Sequence, residues 1–269
     1  MPAKPTADHS SEFFSAEQIE NIAIIRFKGH FLYSTTDLTS RDKLLEYLDR
    51  ISKNELIKVV VIMSSPEKTG SQELLDFYRQ ILKSKLGINA IHRMFNVVDQ
   101  FILKLVDLNK FVVHANSGRN ILLFLNISLA CDYRIVADTT VFQNPYPEFG
   151  LVPKGGGGYF LPKLIGRKQA FELLLAGKDI TAPEALSLGL VDEIVPPENI
   201  EASTVKAALR FSEKPAGSLF GIKRLLKYPL RDLREYLERE NLVLLRIVQS
   251  PDLKSDFWKK ILESSGTSA

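Results

Sequence analysis

The sequence is short of the residues that build disulfides, metal sites and membrane spans. A single cysteine, Cys131, stands in 269 residues, so no disulfide can form within the chain. The four histidines, His9, His30, His92 and His114, show no ligand spacing and have no second cysteine to join them, which leaves no zinc pattern. No metal and no cofactor are expected. Long apolar runs are missing too. The longest, ILLFLNISLA from Ile121 to Ala130, carries two polar residues and is too short to cross a bilayer. The opening MPAKPTADHSSEFF lacks the apolar centre of a signal peptide. A surplus of one charge is also absent: 35 basic against 32 acidic residues leave a net +3. That near-balance gives no basis for binding nucleic acid or a membrane surface. The expectation is a soluble cytoplasmic protein with neither of those partners.

What is present is an ordinary globular composition, 45% hydrophobic and 25% charged, long enough to bury a sizeable core. Residues 1 to about 15 read as a polar tail. NIAIIRFKG (Asn21 to Gly29), LIKVVVIMSS (Leu56 to Ser65) and KFVVHANS (Lys110 to Ser117) are β-branched or continuously apolar and predict strands. TSRDKLLEYLDRIS (Thr39 to Ser52) puts its apolar residues on one helical face, with Thr39 or Ser40 as cap. Residues 71 to 110 read as helix, broken near Gly87. LACDYRIVAD (Leu129 to Asp138) takes a helix end into a strand, and RKQAFELLLAG (Arg167 to Gly177) is a helix closed by glycine. TAPEALSLGLVDEIVP (Thr181 to Pro196) is a capped helix followed by a short strand. Alternating strands and helices predict an α/β core over residues 16–200. Residues 201–269 read as a helical appendage, punctuated by Pro215, Pro229 and Pro251.

The stretch NPYPEFGLVPKGGGGYFLPKLIG, Asn144 to Gly166, holds four consecutive glycines. A phosphate loop needs lysine and a hydroxyl after the glycines, but Lys154 precedes them and Tyr159-Phe160 follow. A dinucleotide fingerprint belongs after the first strand, and this run lies past mid-chain. Local chemistry alone predicts a close-packed turn at a helix start.

Around that stretch the sequence resembles the enoyl-CoA hydratase/isomerase (crotonase) superfamily. The resemblance runs without a gap from Ser128 to Pro196. It includes Leu129-Ala130-Cys131-Asp132, Phe142, the glycine run, Leu161-Pro162-Lys163-Leu164-Ile165-Gly166 and Gly189-Leu190-Val191-Asp192. It implies a spiral of β-β-α units whose C-terminal helices build a homotrimer or a hexamer. It further implies acyl-CoA or acyl-carrier thioesters as ligands, and an enolate held by two backbone N–H groups. Preorganised donors of that kind are worth roughly 3 kcal/mol each, and a helix N-terminus adds its dipole.

The sequence departs from the family where the chemistry lies. Three glycines of the family's second oxyanion element are Leu122, Leu123 and Phe124. The Leu123 N–H can still donate, while Leu122, Phe124 and Lys154 are candidate substrate-binding residues. The first hydratase glutamate falls at Asn126, an amide that can orient but not titrate. The second falls at Tyr146, after the matching Phe142-Gln143-Asn144-Pro145. Glu148 follows in a second Pro-Glu pair. In an extended segment it would share a face with position 146 at about 6–7 Å. The first oxyanion element is reduced to Gly70-Ser71, with the N–H of Ser71 or Gln72 as donor. Other cations of the region, Lys163 and Arg167, could meet a phosphate or only water. His114 is a base or a satisfied core histidine, Cys131 occupies a structural position, and Phe257 and Trp258 suit subunit packing. Two functions follow from the resemblance. One is a thioester enzyme using Tyr146, Glu148 and Asn126 with the Leu123 and Ser71 N–H groups, though not as an ordinary hydratase. The alternative is a non-catalytic member kept for ligand binding or assembly.

Overall fold

The computed structural model describes residues 9–29, 32, 38–65, 70–83 and 87–251. Its centre is a seven-stranded sheet in the order β1-β2-β3-β4-β5-β7-β10. The strands are β1 (His9–Ser10), β2 (Phe14–Ile19), β3 (Ile22–Phe27), β4 (Val59–Met63), β5 (Phe111–Asn116), β7 (Tyr133–Ala137) and β10 (Glu193–Val195). From β3 to β10 all neighbours are parallel, while β1, β2 and β3 form an antiparallel meander at one edge. A smaller sheet, β6-β8-β9, joins β6 (Arg119–Ile121), β8 (Val141–Gln143) and β9 (Ile180–Thr181).

The apolar runs are continuous because the parallel strands are buried on both faces. Ala23, Ile25, Val60, Ile62 and Val112 face one core, with α1 (Leu38–Lys53) and α3 (Ile88–Asp107) packed there. Ile22, Ile24, Val59, Val61 and Val113 face the other, against α7 (Ile200–Ser212) and α8 (Ala216–Leu226). Further α-helices among the described residues are α2 (Ser71–Lys83), α4 (Leu122–Ser128), α5 (Gly157–Ala176, broken at Gly166), α6 (Ala182–Ser187) and α9 (Leu230–Gln249). Thr181 and Glu184 close a reciprocal cap on α6.

Three expectations change. The polar tail ends earlier than residue 15. Phe13 and Phe14 are buried, and β2 pairs with β3 from Phe14↔Phe27 to Ile19↔Ile22. The first long helix begins at Leu38, one residue before the expected cap. The helices after residue 200 are no appendage: α7 covers β4 and β5, and α9 lies along α3 with Leu233, Leu237 and Leu244 buried. Phe257 and Trp258 lie outside the described residues. Among the described residues, no helix is long and apolar enough to cross a membrane.

Candidate functional site

Helix α4 is apolar on every side, LLFLNIS, and all seven residues are buried. A helix of that composition belongs in a core. Its first turn contains the backbone N–H groups of Leu122 and Leu123, which lie at the helix N-terminus, where intrahelical acceptors run out. The Leu122, Leu123 and Phe124 side chains belong to the main core cluster. They fill space that glycine would leave open, which alters the expectation of a ligand-facing surface into one of a packed wall. Asn126 is completely buried. Its Nδ2 donates to the Lys154 carbonyl at 2.9 Å, while its Oδ1 has no partner.

The segment after β8 is a turn rather than an extended strand. Phe149 N–H donates to the Pro145 carbonyl at 3.2 Å, and Leu151 N–H to the Tyr146 carbonyl at 2.8 Å. The turn separates the two candidates that an extended chain would have put on one face. Tyr146 is buried at 1% exposure, and Glu148 is exposed. The Tyr146 hydroxyl also has no partner. Burial holds it neutral well above the ordinary phenol range, reinforced by Tyr78, Glu240 and Glu73.

The four glycines form a tight joint. Gly155 and Gly156 have φ of 96° and 79°, so consecutive N–H groups converge on one spot, a backbone anion cradle. The occupant is internal: Glu240 of α9 accepts from Gly155 N–H at 2.8 Å and Gly156 N–H at 3.0 Å. A Cβ on Gly157 would lie 2.7 Å from Asn126 Nδ2, so glycine there is what lets α5 start against α4. Lys154, a candidate substrate-binding residue, is buried. Its ammonium lies against Asp99 of α3 and 3.2 Å from Glu240. Asn241 Nδ2 donates to the other Asp99 oxygen at 2.6 Å. Burial pushes both carboxyl groups above their ordinary range, against the opposing pull of Lys154. For a partnered ammonium in such a cluster, the physical role is to neutralise the interior.

On the far side, α2 starts after Gly70. The Ser71 N–H, the expected first oxyanion donor, is bonded to the Gln143 side-chain oxygen at 2.9 Å. Two residues on, Glu73 is buried at 1% exposure, and its carboxylate accepts the Leu32 N–H at 3.3 Å. His114 is buried on β5 with Asn116 Nδ2 3.3 Å from its Nδ1. Cys131 is buried, and its thiol is pushed up to about 12 by burial. Among the described residues, no group of three or more His, Cys, Asp and Glu is placed to hold a metal ion.

Asn126, Lys154 and the glycine turn therefore do meet, while Tyr146 and Glu148 part. The sequence reading missed Glu73, Asp99, Gln143, Glu240 and Asn241. A signal existed for three of them. Glu240 interrupts the stripe Leu233, Leu237, Leu244, Asp99 lies between Phe95 and Ile102, and Glu73 precedes Leu74 and Phe77. A charge on an apolar stripe is the informative exception.

A family model for enoyl-CoA hydratase/isomerase matches residues 17–256. The trans-2-decenoyl-[acyl-carrier-protein] isomerase of Streptococcus mutans is 25% identical over 186 residues, covering 69% of this chain and 70% of that protein. The glyoxysomal fatty acid beta-oxidation multifunctional protein of Cucumis sativus is 40% identical over 90 residues, which are 34% of this chain and 12% of that one. The crystal structure of an enoyl-CoA hydratase from Bacillus halodurans superposes with a TM-score of 0.77 at 25% identity, covering 94% of this chain and 99% of that chain.

Proposed function

The chain belongs to the enoyl-CoA hydratase/isomerase family, and on that premise we propose that it acts on an acyl-CoA or acyl-carrier thioester by enolate chemistry rather than by hydration. One observation carries the reading. Asn126 Oδ1 and Tyr146 Oη, at the two positions where the resemblance puts hydratase glutamates, are fully buried and unpaired. Buried polar atoms are almost always satisfied, so this pair marks where polar groups of a ligand would complete the arrangement. Neither group is a base. The amide does not titrate, and the phenol is held neutral. Both can orient and hydrogen-bond a thioester, and neither can activate the water that hydration consumes. Charge developing on the thioester oxygen would be met by the Leu123 N–H in the first turn of α4, in a dry site. The isomerase relative from Streptococcus mutans supports a thioester substrate and a reaction without added water.

Calorimetry with CoA, butyryl-CoA and crotonyl-CoA tests the proposal, together with an assay of crotonyl-CoA hydration. The expected result is affinity for the thioesters without hydration. Absence of binding, or measurable hydration, would refute it.

A second reading, a non-catalytic member that keeps the fold for ligand binding or assembly, is favoured by the Gln143 contact. It occupies the Ser71 N–H that a thioester oxygen would need. Affinity with no turnover or proton exchange across a thioester panel would select it. In either reading we place a homotrimer or hexamer on the exposed apolar side chains of Phe171, Leu175, Ile222, Leu225 and Leu226. Sedimentation as a monomer would count against that assembly.

A further inference from the structure

The peptide unit between Lys154 and Gly155 is hydrogen-bonded on both sides. Its N–H donates to Glu240 Oε1 at 2.8 Å. Its carbonyl accepts from Asn126 Nδ2 at 2.9 Å. The unit is trans, so it is planar and its N–H and C=O point in opposite directions. One rigid plane therefore stands between the carboxylate of α9 and the amide of α4. Glu240 Oε2 takes the Gly156 N–H at 3.0 Å, which holds the chain at the next residue as well.

That chain of bonds decides which end of the Asn126 side chain is left. A carbonyl only accepts, so the atom facing Lys154 is the amide nitrogen. Oδ1 is the atom left over, fully buried and with no partner among the described residues. Gly157 keeps space beside it, since a Cβ there would stand 2.8 Å from Oδ1. An amide oxygen accepts and cannot donate. It suits a donor and repels a thioester oxygen. The thioester group offers no donor, whereas a hydroxyl on the acyl chain does.

We propose that Glu240 is a positioning residue: through the Lys154–Gly155 peptide it presents Asn126 Oδ1 as the acceptor for a hydroxyl on the acyl chain of the ligand. The inference rests on the thioester reading above. Glu240 itself is committed elsewhere, Oε1 to the Lys154 ammonium and the Gly155 N–H, Oε2 to the Gly156 N–H. A carboxylate accepting from a peptide N–H polarises that unit and strengthens its carbonyl as an acceptor. The Asn126 amide is then held by Nδ2, with Oδ1 beside the opening at Gly157. Tyr236, one turn earlier on α9, braces the same glycine run at another point. A Cβ on Gly158 would lie 2.3 Å from its hydroxyl. Tyr236 thus ties α9 to the run away from the Lys154–Gly155 plane, and it serves as the control for a merely structural role.

Calorimetry with butyryl-CoA and its 2-hydroxy and 3-hydroxy counterparts tests the assignment. The wild-type chain is expected to bind one of the hydroxylated thioesters about tenfold or more tighter than butyryl-CoA. Glu240→Gln keeps the side-chain shape but leaves one acceptor oxygen for two N–H groups. It should remove most of that preference, with butyryl-CoA affinity unchanged. Asn126→Ala should abolish the preference, and adding Glu240→Gln to it should change nothing further, the non-additive result expected of two residues on one path. Tyr236→Phe should lower stability in urea and leave the preference intact. If Glu240→Gln does not fold, Glu240→Asp, which withdraws the carboxylate by one methylene, is read in its place. Equal wild-type affinity for all three thioesters overturns the inference. So does a preference that survives the change at residue 240, or one that falls as far in Tyr236→Phe. If the wild-type chain binds none of the three, the thioester reading itself fails and the role of Glu240 falls with it.

Discussion

Replacing Lys154 with methionine keeps a long apolar stem and deletes one buried charge. The ammonium, Asp99 and Glu240 side chains are 7%, 8% and 3% exposed. Without the lysine, two carboxylates would share an interior whose remaining hydrogen-bond donors to them, among the described residues, are neutral: the Asn241 amide and the Gly155 and Gly156 N–H groups. The folded variant escapes that repulsion by binding one more proton. Starting from 4.5 in the unfolded chain, protonating Glu240 at pH 7 costs about 3.4 kcal/mol, at about 1.36 kcal/mol per pH unit. The same step for Asp99, from 3.8, costs about 4.4 kcal/mol. The cheaper route sets the charge part of the loss near 3.4 kcal/mol, within the roughly 3–5 kcal/mol typical of a broken buried pair. A carboxyl whose folded value is raised contributes stability below its unfolded value and loses it as pH rises. The cost should therefore shrink to about 0.7 kcal/mol at pH 5. Urea denaturation of both proteins at pH 5 and pH 7 measures it. An equal loss at the two pH values would refute the reasoning and assign the cost to packing.

The same sign governs the intact protein. Because burial raises both Asp99 and Glu240, their contribution weakens as pH climbs past the ordinary carboxylate range, and Glu240→Gln should flatten that part of the stability curve. Gly157→Ala puts a methyl against the buried Asn126 amide and should cost about 1–3 kcal/mol by thermal melting. Gln143→Ala frees the Ser71 N–H, so its amide exchange, read by NMR or mass spectrometry, should quicken; unchanged protection would mean another group holds it. Thr181→Ala removes the α6 capping box and should lower stability by about 1 kcal/mol in denaturant.

The parallel strands were legible because burial on two faces leaves a run such as VVVIM with no alternative pattern. The glycine turn was legible through its resemblance to the family, and its packing role through the absence of phosphate-loop chemistry. Three things were not. The β2 strand, FSAEQI, is mixed enough to pass for tail and is fixed by pairing with β3, a tertiary term that no local window contains. Tyr146 and Glu148 looked like neighbours on one face because a strand period was assumed where two prolines make a turn. The buried charges on α2, α3 and α9 interrupt apolar stripes, but what they bond was hidden because each finds its partners far away in sequence. Glu240 meets residues 84–86 positions upstream, and Asp99 meets Lys154 and Asn241 at separations of 55 and 142.

The reach of α9 into the glycine turn also orders events during synthesis. While the chain is still emerging, the strands through β10 can pair and Lys154 can meet Asp99, but the Gly155 and Gly156 N–H groups wait for residue 240. Domains commonly acquire structure from the N-terminal side as they are made. On that order the glycine turn would leave the ribosome with its N–H cradle open, and α9, the last long helix among the described residues, would be the piece that closes it.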